Sequence, residues 1–242
     1  MQKDKPFRIS SACTNDKFMS FNLVSPENGD WDLAISVFKS RFWTRYFNPI
    51  RQLLRIVDEI ETDDIEEMEM IYPGFLTLSI DCILLETLNQ FKHGISDSEV
   101  AFHSSCAFVD VLMSTEKLKP FFESKSDAYK FYSDIRCGLI HQGETKGYSL
   151  LNIKKDIIVN HYSVRGKGFS VNRIDFHQLI VDEYLSYMDS LLDLNNRRHD
   201  QLRLNFRNKM YFLCGENLPQ SIEPRCRVCN KELRDKKKVK QN

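Results

Sequence analysis

Arg136 and His141 stand five positions apart at the end of an apolar-periodic stretch, Phe131-Tyr-Ser-Asp-Ile-Arg-Cys-Gly-Leu-Ile-His-Gln-Gly-Glu-Thr145. They are a permanent cation and a titratable base on one well-defined element. An imidazole, with an ordinary pKa of about 6.5, can take up and return a proton near neutral pH. A guanidinium stays charged, and its planar fork matches phosphate oxygens. RNA carries its own nucleophile, the ribose 2′-hydroxyl. Metal-independent cleavage therefore needs a base for the 2′ proton, a cation for the pentacovalent phosphorane and an acid for the leaving 5′ oxygen. Arg136 and His141 supply the first two of these, so the pattern points to an endoribonuclease that leaves a 2′,3′-cyclic phosphate and a 5′-hydroxyl.

Helical geometry constrains the pair. At about 100° per residue, five positions place the two side chains roughly 140° apart on an ideal helix. Either His141 sits on a last turn released by Gly143, or two chains pair so that helices from both build one cleft. A purely structural reading is also open: Arg136 pairs with Asp134 or another acid, and His141 meets the carbonyls at the helix end. Beside the motif, Gln142, Glu144 and Thr145 are candidates for hydrogen bonds to ribose or base, or else turn residues. Glu86 is the candidate for orienting Arg136 or His141.

The segment resembles the R-x(4–6)-H signature of the HEPN superfamily, written in this chain as Arg136-Cys-Gly-Leu-Ile-His141. The upstream helix Cys82-Ile-Leu-Leu-Glu-Thr-Leu-Asn-Gln-Phe91, with its interior acid Glu86, and the aromatic lead-in Phe131-Tyr132 extend the likeness over roughly residues 73–213. The resemblance implies a helical bundle that forms a homodimer and cleaves RNA without a metal or other required cofactor. It implies Arg136 on the scissile phosphate, His141 as base, and a toxin, phage-defence or RNA-processing setting in which an inhibitory or triggering protein partner restrains the activity. One position departs from the pattern. Catalytic members often carry a polar residue after the arginine, where this chain has Cys137. That departure favours the alternative, a non-catalytic HEPN-like module for nucleotide or RNA binding, or for assembly.

Composition agrees with a globular protein. Of 242 residues, 42% are hydrophobic and 28% charged, enough for a sizeable core. The 34 basic and 34 acidic residues balance, so RNA contact should be local rather than spread over the surface. The seven cysteines are odd in number, and Met1 to Ser20 holds no apolar leader segment, which together suggest reduced thiols and a cytoplasmic protein. No window approaches a membrane span.

The elements that must position the pair read as a mainly α-helical bundle with a small β-hairpin insertion after the motif helix. Residues 1–30 read as an extended or mobile arm, 31–215 as the helical domain and 216–242 as a tail. Asp30 is a candidate cap for a helix from Trp31, interrupted at Asn48-Pro49. An acidic run covers residues 58–69 and reads as a solvated connection or a docking surface. Pro73-Gly74 opens a helix that His93-Gly94 closes, and a further helix runs from about Ser98 to Ser114. Ser126 or Asp127 caps the motif helix. The segments 148–153 and 157–164 form the hairpin, within an insertion at about 148–172, and 169–174 adds a short third strand.

Asp175 then caps one long helix whose second half is basic, and Arg203 and Arg207, four positions apart, are candidates for RNA-phosphate binding. Tyr148, Tyr162 and Phe169 are candidates for base stacking. Cys226-Arg-Val-Cys229 has the spacing of half a structural zinc site. It would need His199 and Cys214, or a second chain, to complete four ligands.

Overall fold

The computed structural model of the protein describes residues 5–24, 27, 29–59, 73–96, 104–153, 157–161 and 168–216. Most of the acidic run, the Cys226-x-x-Cys229 pair, Tyr162 and the expected start of the helix near Ser98 lie outside the described residues.

The fold is mainly α-helical with a small three-stranded sheet. The helices are α1 (Asn15–Met19), α2 (Trp31–Phe42), α3 (Asn48–Glu59), α4 (Gly74–His93), α5 (Ser104–Ser114), α6 (Lys125–Phe131), α7 (Cys137–Gln142), α8 (Arg173–Leu192) and α9 (Asp200–Leu213). The strands are β1 (Leu150–Asn152), β2 (Val159–His161) and β3 (Phe169–Asn172).

The described part of the N-terminal segment is not a free arm. Ile9, Cys13, Phe18 and Leu23 are buried with the main core, and Arg41 and Arg45 from the first helical run both donate to the Ile9 carbonyl. Four buried side chains and two arginine–carbonyl hydrogen bonds tie the segment to the helices.

Aromatic packing organises the bundle. Phe38 of α2 lies against Phe91 of α4, Tyr184 and Tyr187 of α8 and Phe206 of α9, so one ring ties four helices together. A second aromatic group surrounds Phe131, the residue that opens the motif, with Phe108, Phe122, Phe169 and Phe176 around it. The motif segment is therefore fixed to α5, β3 and α8 through a single buried ring.

Two π-helical turns interrupt the helices. Trp43–Phe47 joins α2 to α3 directly ahead of Asn48-Pro49. Pro49 has no N–H to donate and its ring would crowd the carbonyl four residues back; the wider turn relieves both problems, and the expected interruption takes this form. Tyr132–Arg136 joins α6 to α7 in the same way.

Three local expectations need correction. The motif helix starts two or three residues earlier than Ser126 or Asp127 suggests: Ser124 is the cap, and its hydroxyl and the Asp127 carboxylate form a reciprocal capping box. The single long C-terminal helix is two helices. Asn172 caps α8 by accepting from the Ile174 and Asp175 amides, α8 stops at Leu192, and α9 begins at Asp200. Among the described residues the first two strands do not pair with each other, so the hairpin expected between them is replaced by another arrangement. The strand order is β1-β3-β2, with β1 parallel to β3 and β2 antiparallel to it.

Burial explains the pairing. All four residues of β3 are buried, as a central strand requires, while β1 and β2 expose residues at the edges. Gly168, at φ 110, lets the chain enter β3 against the Gly147–Tyr148 backbone, where any Cβ would collide. The Ser149 hydroxyl then accepts from the Phe169 amide at 3.0 Å, and Asn152 donates to Ser170 at 2.8 Å.

Candidate active site at Arg136 and His141

Three elements build the site. Through the π turn and α7, Ile135 and Leu139 turn into the core and are buried, while Arg136 is half-buried and His141 exposed. On α4, Leu84, Leu85 and Leu88 face inward. The opposite stripe carries Leu76, Ile80, Ile83 and Glu86 at helical spacing, which sets Glu86 beside the motif. The loop after α7 completes the arrangement. Gly143, at φ 68, ends the helix one residue after Gln142. The chain then doubles back so closely that a Cβ on Gly138 would collide with the Glu144 carbonyl, and one on Gly147 with the Asp134 carboxylate.

Arg136 and His141 meet within one protomer. Arg136 Nη1 lies 3.4 Å from His141 Nε2, and Arg136 Nε donates to Glu86 Oε1 at 2.6 Å. Of the two solutions to the helical spacing, this is the first: the histidine sits on the terminal turn, and the long arginine side chain reaches it. The guanidinium also lies over the Tyr132 ring, 5.4 Å from its centre. Asp134 takes no part in holding Arg136; its carboxylate pairs with Lys130.

The electrostatics follow from this geometry. Burial works against the Arg136 charge, but the Glu86 hydrogen bond and charge outweigh it and raise the guanidinium pKa above its ordinary value. Burial pushes the Tyr132 phenol up to about 12, with the Arg136 charge opposing. Arginine is a donor only, so a hydrogen bond at this contact has His141 Nε2 as its acceptor. In that arrangement the lone pair that a general base needs is on the nitrogen facing the cation.

Gln142 and Glu144 are exposed next to His141, and Glu144 Oε1 accepts from the Thr145 amide at 3.2 Å. Cys137 is half-buried and unbridged.

No protein-family model, curated protein or solved structure matches this chain.

Other candidates fall elsewhere. Arg203 is 3% exposed, and its guanidinium donates to the carbonyls of Asp193 and Asn196 and pairs with Asp200 at 2.6 Å. It closes the break between α8 and α9 instead of facing phosphates, which corrects the RNA-binding expectation for it. Arg207 is half-buried and donates to the Leu23 carbonyl at 3.3 Å. Phe169 is fully buried and cannot stack on a base, whereas Tyr148 is 58% exposed. Cys214 is buried, and its thiol is pushed up to about 12, first by that burial. Among the described residues no cluster of three or more His, Cys, Asp or Glu side chains could hold a metal, and no helix is long and apolar enough to cross a membrane.

Sequence reasoning misses one polar pair. His177 of α8 and Asp81 of α4 meet at 2.7 Å in the interior. Ninety-six residues separate them, and each alone looks like an ordinary polar position on a helix.

Proposed function

We propose that the protein is a metal-independent endoribonuclease of HEPN type. The observation that carries this reading is the convergence of the half-buried Glu86 and Arg136 on the exposed His141, with the imidazole and the guanidinium side by side. Glu86 keeps hold of Nε while the outer nitrogens of Arg136 turn from His141 to the scissile phosphate. His141 Nε2 takes the 2′-hydroxyl proton, the oxygen attacks phosphorus, and the Arg136 charge stabilises the phosphorane. The 5′ oxygen leaves with a proton, giving a 2′,3′-cyclic phosphate and a 5′-hydroxyl.

The reading includes a homodimer. Ile83, one turn before Glu86 on α4, and Ile140, next to His141 on α7, are 46% and 38% exposed. Apolar exposure of this kind beside a charged site is what a symmetric interface covers. A second protomer would bring a second His141, whose protonated ring could serve as the acid. A cytosolic setting, a toxin or phage-defence role, and a restraining or triggering protein partner belong to the same reading. Cys137 supports the rival, a non-catalytic module that binds RNA or a nucleotide in the same place.

Incubating the purified protein with single-stranded RNA in excess EDTA separates the two. Cleavage by the wild type, lost in Arg136→Ala and in His141→Ala with folding and oligomeric state unchanged, supports the enzyme. Retained RNA binding without cleavage supports the binding module.

A further inference from the structure

A cleft of about 380 Å³ lies between the end of α4, the turn after α5, α8 and the start of α9. It is separate from the Arg136 site. Lys92 follows Glu86 by six positions on α4, which is about 9 Å along the axis and roughly 240° around it.

The cleft presents polar groups whose hydrogen bonds are incomplete. The Lys92 ammonium makes no hydrogen bond among the described residues; its ion-pair partner Glu183 is 3.8 Å away, beyond hydrogen-bond reach. The side chains are only 25% and 8% exposed, so water compensates neither charge fully. Burial accordingly lowers the Lys92 pKa, with Glu183 opposing. The His199 ring lines one wall of the cleft, and its Nδ1 faces the Asp193 carboxylate at 3.6 Å, on the side away from the cleft lining. Lys117 adds a second cation from the turn after α5, and Glu116 a second anion. Ser186 and Ser190 of α8 lie along one stripe with Glu183; the Ser190 hydroxyl donates to the Ser186 carbonyl at 2.9 Å and keeps its lone pairs for a ligand.

This pattern has a chemical complement. The ammonium groups of Lys92 and Lys117 call for an oxyanion, and the Glu183 carboxylate calls for a hydroxyl donor. We propose that this cleft binds a small phosphorylated sugar, with the phosphate on the ammonium groups and the sugar hydroxyls on Glu183 and the serines. The volume is near the low end of small-molecule sites, which span about 300–1,000 Å³, and suits a ligand of that size.

The test is calorimetric titration of the full chain with ribose 5-phosphate, inorganic phosphate and ribose in turn. Ribose 5-phosphate should bind, phosphate alone should bind at least about tenfold more weakly, and ribose should not register. Lys92→Met keeps the aliphatic stem and should weaken binding about tenfold or more, the loss expected for one charged hydrogen bond. Lys117→Ala, on a surface turn, guards against a folding defect at Lys92 and should weaken binding in the same direction. No binding by the wild type, equal affinity for phosphate and ribose 5-phosphate, or unchanged affinity in both variants overturns the proposal. RNA cleavage is scored separately and should persist in both variants, so either reading can fail without the other.

Discussion

One guanidinium serves two neighbours: Arg136 Nε is bound to Glu86 at 2.6 Å, and Nη1 stands 3.4 Å from His141 Nε2. Glu86 comes from α4 and the other two from the motif, so a contact fifty residues apart in sequence sets the aim of a pair five residues apart. Acid, cation and base form a chain in which the acid fixes the cation and the cation faces the base.

Glu86→Ala should release Arg136 and leave its half-buried charge without its strongest acceptor. The expected loss is about 1.5–3 kcal/mol of stability, seen as a lower urea midpoint, together with a fall in RNA cleavage. Glu86→Gln keeps an acceptor oxygen and should recover part of both. Unchanged unfolding and cleavage in the alanine variant would show that Glu86 does not position Arg136.

Gly138→Ala should be costly although alanine favours helix. The added methyl meets the Glu144 carbonyl, so the loop from Gly143 to Gly147 must move off α7. A penalty of about 1–3 kcal/mol is expected from that overpacking, measurable by thermal unfolding. A stabilised variant would mean the loop does not pack as described. Gly143→Ala provides the contrast: nothing lies within 4 Å of the added carbon, and only the φ of 68 disfavours it.

The Asp81–His177 pair predicts a pH dependence. Burial raises the Asp81 pKa, with His177 opposing. The folded value therefore lies above the unfolded one of about 3.9, and the folded state holds the extra proton between the two. This contribution to stability is full below pH about 4 and declines as pH rises through the folded pKa. Asp81→Asn should flatten that slope in urea unfolding followed from pH 4 to 7.5. His177→Leu removes the carboxylate's partner and should steepen it, at a cost of about 3–5 kcal/mol at neutral pH. Parallel pH profiles for wild type and Asp81→Asn would refute the assignment.

Sequence and structure agree where the determinants are local. Apolar spacing predicts the helices, and Leu84, Leu88, Ile135 and Leu139 face the core as expected, whereas Leu76, Ile83 and Ile140, read from the same spacing as core-facing, are exposed; Gly94 and Gly143 mark where two of the helices end. The meeting of Arg136 and His141 is legible as one of two options, because the terminal turn at Gly143 is written beside the motif. The rest depends on distant contacts. Pairing of β1 with β3 relies on Ser149 and Asn152 reaching across seventeen or more positions to Phe169 and Ser170. Arg203 and Arg207 share a spacing that predicts a basic face, yet the turn between α8 and α9 leaves the Asp193 and Asn196 carbonyls in need of a donor and draws Arg203 inside. The role of Cys226 and Cys229 lies outside the described residues.

The most direct test of the central claim is the rate of single-stranded RNA cleavage in EDTA by wild type and His141→Ala, with the product ends identified. The account predicts cyclic 2′,3′-phosphate ends from the wild type and a rate at least about a hundredfold lower in the variant, as expected for loss of a general base. Equal rates in the two proteins, or cleavage that stops when EDTA is added, would contradict it.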